Sequence, residues 1–195
     1  MIIKRRKIYR MGMGFFFILV AYLGGNLWAI GVLGFFLALL LLLEYQRHLH
    51  PGFYGWLAAH SFGIFKEHPG LLLPDTYFVL SAFLVFTIFP PNIALASLLF
   101  LTFGDALSTL VGVNWGRHIV YRKKSLEGTT AFFLSTLLFA LVISRMPRYP
   151  LSLPVGITGG LVASLTELFS VPPDDNFSVT ILSGISMWIV ANFLI

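Results

Sequence analysis

The sequence predicts an all-α, polytopic integral membrane protein of about seven transmembrane helices, with its N-terminus in the cytoplasm. Three observations carry that reading. Of 195 residues, 57% are hydrophobic and 11% are charged, and the mean hydropathy is +0.87. A soluble domain is about 25% charged, and 13 basic and 8 acidic side chains cannot cover so much apolar surface. The apolar residues fall into runs of the length that crosses the ~30 Å hydrocarbon layer, and the basic residues gather on one set of connections. These figures exclude a soluble enzyme, a disordered chain and a nucleic-acid-binding domain, so no nucleic-acid partner is expected. The absence of cysteine removes disulfides, thiolate metal sites and cysteine nucleophiles.

The first span covers about 8–24 and ends at the turn Gly24-Gly25-Asn26. Lys4, Arg5, Arg6, Lys7 and Arg10 precede or open it. A basic start before an apolar run also fits a cleaved signal peptide. No small-x-small cleavage site follows and the apolar spans continue, so a retained first helix with a basic anchor is expected. The second span is about 27–45, through Leu39-Leu40-Leu41-Leu42-Leu43, and the third about 71–89, closed by Pro90-Pro91. The fourth is about 92–112, the fifth 129–145, the sixth 151–170 and the seventh 177–194. Two connections, 46–70 and 113–128, are long and polar. No soluble domain or repeat interrupts the pattern, and 1–195 is read as one transmembrane domain.

With the N-terminus inside, the segments 46–70, 113–128 and 171–176 are inside too, and the inner side holds 11 of the 13 basic residues. Only Arg145 and Arg148 fall outside. The acidic residues are an independent clue. Glu44, Glu67, Asp75, Asp105, Glu127, Glu167, Asp174 and Asp175 all fall on the cytoplasmic half, which the rule for basic residues does not explain. Acids and bases gathered on one face suit a metal–polyphosphate: carboxylates hold a hard divalent cation and bases neutralise phosphate oxygens.

Asp105 lies inside the fourth span, about 10 Å from its end at Gly112. A carboxylate within a span costs about 2.5–3.5 kcal/mol on insertion and usually faces a functional cavity. Gly112 and Gly116 allow close approach by another helix or by a phosphate. Arg122-Lys123-Lys124 fits a positive anchor, but Lys124-Ser125-x-Glu127-Gly128 then opens a helix, and a helix start beside a lysine is a natural phosphate site. Glu127 there binds metal or caps the helix. The segment is not a Walker A loop. Pro172-Pro173-Asp174-Asp175-Asn176 places two carboxylates and an amide at a helix start, suited to a divalent ion or to an N-cap by Asp175 or Asn176. Glu167 lies two turns earlier. Glu44 and Arg47, at i and i+3, read as an ion pair. His48, His50, His60, His68 and His118 have no metal-ligand spacing.

Taken together, these motifs resemble the CTP-dependent lipid kinases, the family of dolichol kinase, phytol kinase and the CTP-dependent diacylglycerol kinase. The specific part is Gly104-Asp105 through Gly112-x-x-x-Gly116 to Lys124-Ser125-x-Glu127-Gly128. Glu167 with Asp174-Asp175-Asn176 resembles the family's C-terminal acidic motif. Glu44-x-x-Arg47, and Lys66-Glu67 leading into Thr76-Tyr77-Phe78, resemble its central segment. Arg6-Lys7 matches an Arg-Lys-x-x-His pattern in which this chain carries Arg10 at the histidine position.

The resemblance implies transfer of the γ-phosphate of CTP to a membrane lipid alcohol, with Mg²⁺, at the cytoplasmic face of the inner membrane. Asp105, Glu127, Asp174 and Asp175 are the expected metal ligands. Asp105 and Lys124 are the expected catalytic residues, Asp105 as metal ligand or as base. Arg6, Lys7, Gly112, Asn114, Gly116, Lys124, Ser125 and Gly128 are expected on the nucleotide. Glu44, Arg47, Glu67, Glu167 and Asn176 are expected in support. The expected partners are the lipid and the nucleotide, and a homo-oligomer is compatible with the sequence. Phosphatidate cytidylyltransferase, which makes CDP-diacylglycerol, shares the Asp…Gly…Lys-Ser-x-Glu-Gly order but not the C-terminal signature. A cation transporter would use the same carboxylates, although such sites usually lie between repeats near the midplane.

Overall fold

The computed structural model describes residues 2–61 and 71–193, with side chains from Lys7 onward. Every predicted apolar span lies on a helix. The first two helices are α1 (Ile2–Gly24) and α2 (Asn26–Leu49), joined at Gly25, whose φ of 96° is open to glycine without strain. Next come α3 (Pro51–His60) and α4 (Pro74–Ile88), each with proline in its first turn, where the missing N–H costs nothing. The chain then runs as α5 (Pro91–Leu99), a π-helical turn Phe100–Gly104, and α6 (Asp105–Trp115). A short antiparallel hairpin, β1 (Ile119–Tyr121) and β2 (Lys124–Ser125), leads into α7 (Leu126–Ser144). Two more helices follow, α8 (Leu153–Phe169) and α9 (Asp175–Phe193).

Five stretches among the described residues are long and apolar enough to cross a membrane: Lys7–Gly24, Asn26–Leu49, Pro91–Trp115, Leu126–Ser144 and Asp175–Phe193. Pro74–Ile88 and Leu153–Phe169 are apolar but shorter, at 15 and 17 residues. The protein is thus a helical membrane protein. The continuous Pro91–Trp115 helix is the centre of the bundle: Leu95, Leu98 and Phe100 are essentially inaccessible. Large apolar side chains such as Phe35, Leu42, Leu134, Leu138 and Trp188 face outward, a surface suited to lipid and not to water.

The described parts of the two long connections are more ordered than their polarity suggests. Within 46–70, α2 continues to Leu49, because Arg47 Nε reaches back 3.0 Å to Glu44 Oε2 one turn earlier, and α3 follows. Within 113–128, the hairpin replaces an open loop, and the helix opens three residues before the predicted span at 129. Ser125 is its N-cap, its hydroxyl accepting from Gly128 N at 3.2 Å, a cap worth about 1 kcal/mol.

Small residues set the crossings. A Cβ on Gly128 would lie 2.9 Å from the Ser108 carbonyl and 3.4 Å from Gly112 Cα, so α6 and α7 touch backbone to backbone there. One on Gly104 would meet the Phe132 ring at 2.7 Å. Arg148, beyond α7, donates from Nη1 to the Tyr22 and Leu23 carbonyls at 2.6 and 2.7 Å and closes the C-terminal end of α1. Lys7 sits about 22 Å away along that helix. The acidic residues among those described all lie at the Lys7 end, at the end of α2, the starts of α4, α6, α7 and α9, and the C-terminal part of α8.

Candidate active site

The charged end of the bundle is built from residues that the chain order keeps far apart. Lys7, in the second turn of α1, donates to Asp105 Oδ2 across 98 positions. Asp105 opens α6 directly after the π turn. The wider turn shifts the helical phase where Gly104 lets Phe132 pack close, and α6 begins with its carboxylate toward α1. On the other side, Lys124 Nζ donates to Glu167 Oε1 at 2.5 Å and to Asp175 Oδ2 at 3.0 Å, tying the hairpin to the end of α8 and the start of α9. Ser108, one turn past Asp105, points its hydroxyl at Glu167 Oε1, 3.4 Å away.

These groups line one cavity of about 250 Å³, together with Thr109, Gly112, Lys123, Ser125 and Gly128. Its wall is therefore three carboxylates, three lysines, small hydroxyls and glycine backbone. Burial pulls the Lys124 ammonium down, but the Glu167 and Asp175 carboxylates more than offset this, and its pKa lies above the ordinary lysine value. Lys124 is fully charged at neutral pH and is held by two carboxylates where one would balance it.

The other expected residues have definite places. Glu127 lies outside this cavity: it accepts from the His118 backbone N–H and from His118 Nδ1 at 2.7 Å, closing the hairpin. Asp174 caps α9, Oδ1 accepting from Asn176 N at 2.9 Å and Asn176 Nδ2 at 2.6 Å. Burial raises its carboxyl above the usual range, although the Asn176 donors pull it down. Asn176 reaches back to the Pro74 carbonyl at 3.4 Å, joining α9 to α4. Asn114 turns onto its own helix, donating to the Leu110 carbonyl at 2.7 Å. Gly116 is needed for space: a Cβ would stand 2.3 Å from the Gly112 carbonyl and 2.7 Å from Ser125 Oγ. Glu44 Oε1 accepts from Leu73 N at 2.5 Å and Thr76 Oγ1 at 2.8 Å, capping α4 while its other oxygen holds Arg47. The Arg6 side chain and Glu67 lie outside the described residues.

Sequence reasoning did not single out Ser108, Thr109 or Lys123 as site residues, nor the partner of Arg10. Ser108 and Thr109 follow Asp105 by three and four positions, the spacing that keeps side chains on one helical face, so periodicity alone could have found them. Arg10 Nε lies 2.6 Å from Asp75 Oδ1, and both side chains are nearly buried. At the position where the resembled pattern has histidine, this chain places a permanent cation bound to α4.

Among the described residues, no three His, Asp or Glu side chains converge as a ready-made metal site. The donor chemistry still fits Mg²⁺, which takes one or two protein carboxylates and completes its shell with water and phosphate oxygens. Asp105, Glu167 and Asp175 are oxygen donors on one cavity, with Lys7, Lys123 and Lys124 beside them.

Fold and site define a polytopic helical membrane protein with a charged cavity of about 250 Å³ at one end of its bundle. Compared with known proteins, the chain is 28% identical over 190 residues to a phytol kinase of Synechocystis sp., a match spanning 94% of this chain and 77% of that protein. It is 30% identical over 118 residues to an uncharacterized protein of Rickettsia prowazekii, spanning 58% of this chain and 57% of that one. No family model and no solved structure matches. The similarity to a phytol kinase covers most of this chain and agrees with the resemblance that its sequence motifs carry.

Proposed function

We propose that the protein transfers the γ-phosphate of CTP to the hydroxyl of a membrane lipid alcohol, an isoprenoid alcohol or diacylglycerol, with Mg²⁺, in the inner membrane. The observation that carries this reading is the single cavity where Lys7–Asp105 and Lys124–Glu167–Asp175 meet. The basic N-terminus and hairpin favour an orientation with this cavity toward the cytoplasm, where nucleotide is available. Pro74–Ile88 and Leu153–Phe169 then count as short spans, and the bundle has seven.

Phosphoryl transfer demands positioning and charge neutralisation more than covalent chemistry. The lipid hydroxyl oxygen bonds to the γ-phosphorus. The bond from that phosphorus to the β–γ bridging oxygen breaks, and CDP leaves with the bridging oxygen. The hydroxyl proton passes to a carboxylate of the cavity, Asp105 or Glu167. Lys7 and Lys124 turn from their carboxylates to the phosphate oxygens as the triphosphate enters. Asp105 and Asp175 would hold Mg²⁺, which supplies neutralisation of the β- and γ-oxygens when bound. Gly112 and Gly128 let α6 and α7 meet closely along the wall of the cavity that both line.

The test is a matrix of nucleotides against lipid alcohols with purified protein in lipid nanodiscs. CTP labelled at the γ-phosphate should label the lipid, and CTP labelled at the α-phosphate should not. Label from the α-phosphate in lipid, with pyrophosphate release, would overturn the kinase reading in favour of cytidylyl transfer. Ion flux without nucleotide would point to transport.

A further inference from the structure

A smaller cavity adjoins the first, and Lys7 and Asp105 line both. It lies where α1, α4, α9 and the π turn meet the start of α6, and its volume of about 10 Å³ is room for one hydroxyl group. Arg10 and Thr102 line it among apolar side chains, Met11, Phe78 and Ala106. We propose that it holds the hydroxyl of the acceptor alcohol, with Arg10 and Thr102 as the residues that bind it. This rests on the phosphoryl-transfer reading of the first cavity, and it adds where the acceptor oxygen sits, what holds it and which carboxylate it meets.

Two buried polar atoms carry the argument. Arg10 donates from Nε to Asp75 Oδ1 at 2.6 Å, whereas its Nη2 is inaccessible and has no hydrogen-bond partner among the described residues. Thr102 is 5% exposed, and its Oγ1 is likewise unpartnered. A buried helix threonine ordinarily donates back along its helix, as Thr166 and Thr180 do to the Val162 and Asn176 carbonyls at 2.7 and 2.8 Å. Thr102 lies within the π turn and does not. Native folds leave few such groups unsatisfied, because each has given up its hydrogen bond to water. A lipid hydroxyl satisfies both. Its oxygen accepts from Arg10 Nη2 and from the Thr102 hydroxyl, and its proton is left for a carboxylate. Of Asp105 and Glu167, Asp105 is the one that lines this cavity as well as the first. The hydroxyl proton passes to Asp105 as the oxygen bonds to the γ-phosphorus and CDP leaves, while the two donors stabilise the charge growing on that oxygen. The carbon chain leaves past the half-buried Met11 and Ala106, between α1 and α6, and the unbranched Met11 side chain adapts to admit it.

The experiment measures γ-phosphate transfer from CTP by the full chain in nanodiscs, with geranylgeraniol and dioleoylglycerol as separate acceptors. Beside it runs photolabelling by 3-azioctanol, an alcohol whose reactive carbon lies two bonds from the carbon bearing the hydroxyl. Thr102→Val keeps the branched shape and removes the hydroxyl. A buried hydroxyl without a partner adds nothing to the fold, so this variant should unfold no more readily than the wild type. It should raise KM for the alcohol about tenfold, the worth of one hydrogen bond, and leave KM for CTP unchanged. Thr102→Ser keeps the hydroxyl and should hold the alcohol KM near the wild-type value. Arg10→Lys keeps a cation for Asp75 without the second nitrogen and should raise the same KM. Photolabel should fall on Met11 and on 101–106, and the acceptor that is phosphorylated should displace it.

Transfer with an unchanged alcohol KM in Thr102→Val and Arg10→Lys would make this a water site, overturning the subsite and leaving the kinase reading in place. So would equal rises in both KM values, photolabel confined to other helices, or a Thr102→Val protein that unfolds more readily than the wild type. Photolabel at Met11 and 101–106 that Thr102→Val abolishes, without transfer to either acceptor, would leave the subsite standing and remove the kinase reading. Neither photolabel nor transfer would remove both.

Discussion

Replacing Lys124 by methionine separates what this residue does for the fold from what it does for the reaction. The side chain keeps its length and loses its charge, so the change falls on Glu167 and Asp175. Glu167 is 6% exposed, and Lys124 is its charged partner at 2.5 Å. Removing one member of a buried pair costs about 3–5 kcal/mol, because the other ion is left dry and uncompensated. Lys124 itself keeps 25% of its exposure, which places the cost at the lower end, about 3 kcal/mol. Asp175 is 39% exposed and screened, and its share is below about 1 kcal/mol. Glu167→Gln in the Lys124→Met background removes the stranded charge and should restore about 2 kcal/mol, a coupling within the range for residues in one network. The assay is a double-mutant cycle of equilibrium unfolding in mixed micelles. Phosphoryl transfer should be lost in the single variant and remain lost in the double variant, because the phosphate contact is not restored. Additive stabilities, with coupling below about 0.5 kcal/mol, would refute the buried pair. Recovered activity in the double variant would refute Lys124 as a phosphate ligand.

Other expectations are simpler to state. Asp105→Asn should abolish phosphoryl transfer while the protein still purifies as a folded species with the same helical content; full activity would remove Asp105 from the reaction. Gly128→Ala places a methyl group 2.9 Å from the Ser108 carbonyl, so α6 and α7 must separate. It should cost about 1–3 kcal/mol in micelle unfolding and reduce turnover through the cavity wall that Gly128 forms. The raised Lys124 pKa predicts a stability contribution fully present below the ordinary lysine pKa and lost as pH rises through the higher folded value. Thermal unfolding measured across that alkaline window should show the loss in the wild type and not in Lys124→Met.

Much of the fold was legible because the bilayer simplifies the code. Hydrocarbon demands continuous apolar helices, and runs such as Leu39–Leu43 or the stretch ending at Pro90-Pro91 declare themselves without tertiary knowledge. Polar connections gave no such signal. Pro51–His60 and the 119–125 hairpin were hidden because short elements take their stability from what they pack on, not from periodicity. The π turn was equally invisible, since its width depends on the packing of Gly104 against Phe132. Among the charged residues, type and position suggested a polyphosphate site, but not which acids pair with which bases. Asp174 and Asp175 are adjacent in sequence; one caps α9 and the other faces Lys124. Glu127 stands beside Ser125 in the motif, yet folds back on His118.

By itself the sequence determined that the chain lives in a membrane, where its long apolar helices run, and that its acids and most of its bases share one end. Those properties follow from the hydropathy and sign of each residue, which no contact alters. Only the tertiary structure decided that Lys7 meets Asp105, that Lys124 bridges α8 and α9, and that Arg10 and Thr102 line one small cavity beside Asp105. These pairings span tens of positions and depend on how closely glycine lets each helix approach its neighbour, a distance that exists only after the bundle has packed.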